Sequence, residues 1–281
     1  MLRKLLKYEW KATGKVLCLV NLALVLITLV GCCILSTDIF DNEDALPLAL
    51  LLITLYTLSL AAIGIITLIY LFLRFYRNLF TAEGYLMHTL PVTPGQLFHS
   101  KLIVGYFWVC LNSILGIASA TLLSFAAAYH FVSTHGIEIA DQFILEMGMT
   151  DPSSAQDWSV WFQEFFYYPP LQFLLMILIL QLVCNFSSLL TGYMSILLGQ
   201  LVEKYKQAAS FGFYILFYVA NQIVSSAIIL IPCMRTLLAT DHFMKEYARL
   251  LIPLAIVSQI IIGIIFYTAS LLLMRKKVNL D

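Results

Sequence analysis

The chain has 281 residues, of which 61% are hydrophobic and 11% are charged. A soluble domain carries roughly 25% charged residues, so this composition excludes a water-soluble globular protein and indicates an integral membrane protein. The 16 basic and 16 acidic residues balance, and the net charge therefore suggests neither a nucleic acid nor an acidic substrate as a partner.

Six apolar segments are long enough to cross a bilayer, since about 20 helical residues span the hydrocarbon core. Apart from Lys101 at the start of the third, none of them contains Asp, Glu, Lys or Arg. We predict an all-α integral membrane fold, a six-helix bundle that forms a single transmembrane domain over residues 1–281. The predicted spans cover residues 16–35, 46–73, 98–129, 170–199, 208–232 and 250–274.

Basic residues are distributed unevenly among the segments that connect these spans. On one side are only Arg235, Lys245 and Arg249. On the other side are Arg3, Lys4, Lys7, Lys11, Lys15, Arg74, Arg77, Lys101, Lys204, Lys206, Arg275, Lys276 and Lys277. Because basic residues concentrate in cytoplasmic loops, the sequence predicts that both termini are cytoplasmic.

Two further segments have the pattern of helices that lie on the membrane surface. Residues 1–15 combine leucines on one helical side with five basic residues, which suits an amphipathic helix on an anionic leaflet. The outside loop, residues 130–169, contains an aromatic stripe at helical spacing, which predicts an extracellular interfacial helix, either a membrane anchor or a substrate gate. The stripe consists of Trp158, Trp161, Phe162, Phe165 and Phe166.

Several chemical signatures are missing from the sequence. No GxxxxGK[ST] phosphate loop, GxSxG elbow or HExxH zinc motif occurs, so we predict no catalytic residue, no metal site and no ATP hydrolysis on this chain. The span interiors also lack the ionisable groups that a proton-driven carrier usually needs. A carrier coupled to sodium through neutral oxygens remains an alternative.

Small and polar residues recur along one face of the fourth predicted span. They are Gln181, Asn185, Ser188 and Gly192, and this spacing favours a seam of close helix packing. The fifth span instead clusters Asn221, Gln222 and Ser225 near its middle. Two adjacent amides point in different directions around a helix, so one helix contact does not account for both. Helix packing and a translocation path therefore remain alternative roles for these residues.

Between the second and third spans the chain reads EGYLMHTLPVTPGQLFHSK, from Glu83 to Lys101. This stretch resembles the membrane subunits of type-2 ATP-binding-cassette (ABC) exporters, particularly the small six-span permeases of Gram-positive bacteria, in which it looks like EGxLxxTLPVxxxxLxxSK. The resemblance extends to the basic N-terminus, the six spans, the cytoplasmic termini and the missing ATPase.

The resemblance implies a permease that a separate ATPase drives. Residues 79–95, here named the coupling segment, would form a helix that docks in a groove of a cytoplasmic ABC ATPase subunit, which holds the ATP and Mg. Its interface residues would be Glu83, Gly84, Tyr85, Leu86, Met87, His88, Leu90 and Pro91. Asn221, Gln222 and Ser225 would line part of a conduit between this chain and a second copy or a similar permease, within the cell membrane. An ordinary polar loop, with Lys101 extending to the membrane surface, is the simpler interpretation of the segment.

Two other functions remain open at this stage. The chain is either a sodium-coupled or facilitative carrier that works alone, or a membrane scaffold or sensor subunit that does not transport. A co-purifying protein with a phosphate loop would distinguish the permease from the carrier.

Overall fold

The computed structural model describes residues 2–35, 46–81, 84, 92–135, 163, 167–237 and 243–276. Within these residues the regular secondary structure is helical, with no strand. The six long helices are α1 (Leu2–Leu35), α2 (Leu46–Phe80), α3 (Pro94–His135), α4 (Pro170–Gly199), α5 (Lys206–Leu237) and α6 (Phe243–Lys276). Each is long and apolar enough to cross a membrane. This confirms helices of spanning length among the described residues and is consistent with a multi-pass membrane protein.

Most of the helices extend beyond the apolar segments that predicted them. Helix α2 continues to Phe80 and α3 begins at Pro94, so both enter the polar region between the second and third spans. Helix α1 is a single helix from Leu2, where the sequence suggested a separate surface helix over residues 1–15. No proline interrupts this stretch, and Gly14 alone does not end a helix.

The chain divides into two compact units. Unit 1 contains residues 1–9, 71–106 and 154–281, and unit 2 contains residues 10–70 and 107–153. Helices α1, α2 and α3 therefore contribute residues to both units, whereas α4, α5 and α6 belong to unit 1. The prediction of one domain over residues 1–281 remains a prediction.

Unit 1 is built on contacts among α4, α5 and α6. Helix α4 begins with Pro170 at a position where the missing N–H costs nothing, and its second half is almost continuously buried. The Ser270 hydroxyl of α6 contacts the sulfur of Met194 at 3.5 Å. Helix α4 thus contacts both α5 and α6 and is the central element of these three.

Unit 2 brings together the remaining parts of α1, α2 and α3. Ser119 of α3 shares hydrogen bonds with Thr28 of α1 and Tyr56 of α2. Asn112 donates to the Thr67 hydroxyl at 3.0 Å, which joins α3 to α2 a second time. These hydroxyl and amide contacts join the three helices without a charged group.

Candidate functional site

The predicted ATPase interface falls mostly outside the described residues. This applies to Glu83, Tyr85, Leu86, Met87, His88, Leu90 and Pro91, while Gly84 is described. The structure does describe the two helix ends that flank the coupling segment. The end of α2 from Leu71 onward is here named the α2 stem, and the start of α3 as far as Tyr106 is named the α3 stem. The site is therefore built from these stems and from the side chains of unit 1 that hold them.

Gly84 lies in a tight turn just after the end of α2. Its N–H donates to the Thr81 carbonyl at 2.7 Å, and a Cβ at this position would overlap the backbone carbonyl of Leu79. Leu79 itself is fully buried. Only glycine fits this approach without a backbone shift, which gives a structural reason for the glycine that follows Glu83.

The α3 stem begins with a reciprocal cap. The Thr93 hydroxyl accepts from the Gln96 N–H at 3.3 Å, and the Gln96 side chain accepts from the Thr93 N–H at 3.4 Å. Pro94 occupies the first helical position, where its fixed φ favours a helix start. This capping box explains why α3 begins at Pro94, four residues before the apolar span predicted from the sequence.

A buried ion triad connects both stems to α1. The Glu9 carboxylate accepts from Nε and Nη2 of Arg74 through Oε2, each at 3.1 Å. Its other oxygen, Oε1, accepts from Lys101 Nζ at 2.6 Å. Arg74 lies on α2 and Lys101 on α3, so one side chain of α1 binds a cation on each helix.

The triad carries a net positive charge and is largely removed from water. Glu9 is 6% exposed and Lys101 is 5% exposed, whereas the Arg74 side chain is 22% exposed. The interpretation of the segment as an ordinary polar loop requires Lys101 to extend to the membrane surface. Its burial shows that it does not. Removing one member of a buried ion group is strongly destabilising because a charge is left without its partner.

An aromatic cluster packs the same stems against α4. Tyr193 is 1% exposed; its ring stacks on Phe75 of α2 at a centroid distance of 4.0 Å and meets Phe98 of α3 edge to face at 6.3 Å. The Tyr193 hydroxyl reaches the Lys101 carbonyl at 3.4 Å. The rings thus pack the end of α2 and the start of α3 against α4.

A further contact joins the α3 stem to α6. The Nε2 atom of His99 and the Tyr267 hydroxyl share a hydrogen bond of 2.7 Å. The His99 ring also lies near Tyr267 in an edge-on arrangement. The start of α3 is consequently linked to α1, α4 and α6.

The candidate translocation residues lie on α5 with different surroundings. Asn221 accepts a hydrogen bond from the Gln259 side chain of α6 at 3.2 Å. Gln222 is exposed and Ser225 is half-buried. The amide pair gives Asn221 a helix-packing contact, while the assignment of these residues to a translocation path remains a prediction.

The seam predicted on α4 includes one close helix contact. Gln181 and Asn185 approach each other at 3.5 Å within the helix, and Ser188 is half-buried. Gly192 lies directly against the Phe72 ring of α2, where a Cβ would overlap the ring. The glycine therefore permits the two helices to approach at this point.

Sequence reasoning missed three residues that organise this region: Glu9, Tyr193 and Gln259. Glu9 did leave a signal, because it is the only acid before Asp38 and five basic residues surround it. Tyr193 and Gln259 are ordinary members of apolar helices in the sequence.

Within the described ranges, no group of three His, Cys, Asp or Glu side chains comes together as metal ligands would. The expectation of a chain without a metal site remains a prediction. No family model matches the chain, and neither a curated protein nor a solved structure matches it.

Proposed function

We propose that this chain is the membrane-spanning permease subunit of an ABC exporter that a separate cytoplasmic ATPase drives. The observation that carries the proposal is the sequence from Glu83 to Lys101 between α2 and α3, with its resemblance to the coupling region of such permeases. The six candidate spans and the two firmly packed stems are consistent with it.

The geometry of the stems supports a role for the coupling segment in force transmission. Phe75 and Phe98 pack on the same α4 residue, Tyr193, and Arg74 and Lys101 bind the same carboxylate. In the proposed mechanism, ATP-driven association of two ATPase subunits moves the coupling segment, and the stems pass this movement to the helices. A second copy of the chain, or a similar permease, completes the complex.

The proposal requires the coupling segment to be cytoplasmic. Single cysteines at positions 88 and 205 should be shielded from an impermeant thiol reagent in intact cells, while a cysteine at position 148 should react. The native cysteines are replaced beforehand. Reaction at position 88 from outside would contradict both the orientation and the docking of an ATPase.

The decisive experiment measures co-purified ATPase and transport on the same preparations. We expect Leu86→Ala/Leu90→Ala to weaken the complex roughly tenfold or more, because each removed apolar anchor typically contributes about 1–3 kcal/mol. Asn221→Ala/Gln222→Ala is the matched control from the candidate translocation path. It should retain the ATPase and change transport or substrate-stimulated ATP hydrolysis.

Each result has a separate meaning. A double leucine variant with its full ATPase complement and normal transport would show that the segment is only a loop. A chain that retains its ATPase but moves no substrate would instead be a scaffold or sensor subunit.

A stand-alone carrier is the second candidate, and one feature of unit 2 favours it. The Asn21 Oδ1 atom is buried and has no hydrogen-bond partner among the described residues, which leaves an amide oxygen of the type that hard cations accept as one of several ligands. Purified chain in liposomes should then transport with a sodium gradient and no ATPase. Absence of flux both with and without a sodium gradient would exclude this candidate, which is either sodium-coupled or facilitative.

A further inference from the structure

Glu9 occupies an unusual position with respect to the coupling segment. Arg74 lies five residues before that segment and Lys101 six residues after it. Both cations bind the one carboxylate of Glu9, each through a different oxygen. Three helices thus meet at one acidic side chain, and two of them are the stems of the segment proposed to dock the ATPase.

The charges explain why this arrangement fixes the distance between the stems. Arg74 and Lys101 repel each other, and the repulsion is strong where water is largely excluded. The Glu9 carboxylate attracts both cations, which offsets their repulsion and keeps each of them within hydrogen-bond distance of Glu9. Without Glu9, the two like charges would favour separation of the stems.

We infer that Glu9 is a positioning residue for the coupling segment, so that helix α1 is a third part of the coupling apparatus beside α2 and α3. The inference rests on the proposed function. Glu9 is buried, and it acts through Arg74 and Lys101, which hold the two stems at the separation that docking requires.

A purely structural role would give a different pattern of effects. If the triad only balances charge, removing all three charges together should restore a normal protein, since a neutral cluster leaves no buried ion unpaired. If Glu9 positions the stems, the same neutral variant should fold normally and still bind the ATPase poorly, because the link between the stems is absent.

The test uses the ATPase that co-purifies with the unaltered chain, titrated back onto stripped variants in lipid nanodiscs. Glu9→Gln should weaken this binding by roughly tenfold to a hundredfold, because an interface that is no longer preorganised binds less tightly. The neutral triple variant Glu9→Gln/Arg74→Gln/Lys101→Met should regain the thermal stability of the unaltered chain without regaining ATPase affinity. Lys7→Gln, which neutralises an exposed charge on the same helix, is the matched control and should bind normally.

Two further variants keep the test decisive. Lys101→Arg preserves the charge and should retain most of the affinity. Lys101→Met leaves a neutral Glu9–Arg74 pair and releases only the α3 stem, so it should fold and show a smaller loss of the same sign. If Glu9→Gln fails to fold, this variant decides the question.

The inference would be overturned if Glu9→Gln bound the ATPase with normal affinity, or if Lys101→Met did so where Glu9→Gln does not fold. Full recovery of affinity in the neutral triple variant would also overturn it. If Leu86→Ala/Leu90→Ala loses the ATPase while the triad variants keep it, the proposed function stands and only the positioning role fails. If no ATPase accompanies the unaltered chain, the proposed function fails as well.

Discussion

Where α1, α2 and α3 meet, unit 1 and unit 2 use different polar chemistry. In unit 1, α1, α2 and α3 meet at an ionised group, Glu9, and its two cations. In unit 2, portions of the same three helices meet through hydroxyls and an amide, at Ser119 and at Asn112. The same helices therefore change from charged to neutral contacts along their length.

This difference matters for stability because burying an ion and burying a hydroxyl have different free-energy costs. Leaving an ion unpaired in an apolar environment costs far more free energy than leaving a hydroxyl unpaired. Loss of one member of a buried ion group should therefore destabilise the contact strongly. Neutral hydrogen bonds between membrane helices contribute little individually. Unit 1 should accordingly be sensitive to single substitutions, and unit 2 should tolerate them.

The largest expected effect is the loss of the Tyr193 ring from unit 1. Tyr193→Ala should lower the free energy of unfolding by about 3–5 kcal/mol, because a fully buried aromatic ring leaves a large cavity. Unfolding in mixed micelles measures the change. Tyr193→Phe is the control, and it should cost about 1 kcal/mol or less since only a long hydrogen bond is removed.

A methyl group at Gly192 should give an intermediate effect. Gly192→Ala places a Cβ against the Phe72 ring, and we expect a loss of about 1–3 kcal/mol from overpacking. Gly64→Ala is the matched substitution in unit 2, where a Cβ meets open space. It should leave the free energy of unfolding unchanged or raise it slightly, and an equal loss at both glycines would contradict the comparison.

The smallest expected effect concerns the hydrogen bond between Asn112 and Thr67 in unit 2. A double-mutant cycle with Asn112→Ala and Thr67→Ala should give a coupling free energy of about 0.6 kcal/mol, the average for such bonds in membranes. Thermal unfolding of the four proteins in detergent measures it. A coupling of several kcal/mol would show that unit 2 depends on its polar contacts as strongly as unit 1.

The sequence predicted the helices well and their interior contacts poorly. The thickness of the bilayer sets the length and hydropathy of a spanning helix, and both can be read from a single sequence. Among the described residues, the prediction of an all-helical fold with six helices of spanning length is confirmed. The unbroken α1 was missed because the sequence changes from basic to apolar near residue 15 without any break in helix propensity.

The contacts of the candidate site depend on which helices become neighbours. The lone acid Glu9 among basic residues was visible in the sequence, but nothing there indicates that its partners are Arg74 and Lys101, about 65 and 92 residues away. Gly192 belonged to a predicted packing seam and lies against Phe72, while the seam as a whole remains a prediction. The interface residues from Glu83 to Pro91, apart from Gly84, lie outside the described residues, so their role remains a prediction.

The length of α1 has a consequence for the choice of membrane. At 1.5 Å per residue, its 34 residues extend about 51 Å, whereas the hydrocarbon core is about 30 Å thick. Glu9 precedes the apolar stretch that begins at Val16 by about 10 Å along the helix axis, so the triad lies at headgroup depth when that stretch fills the core. A thicker bilayer would bring hydrocarbon toward these charges and raise the cost of any opening of the triad. Bilayer thickness is therefore a physical variable that tunes how firmly α1 holds its two neighbours.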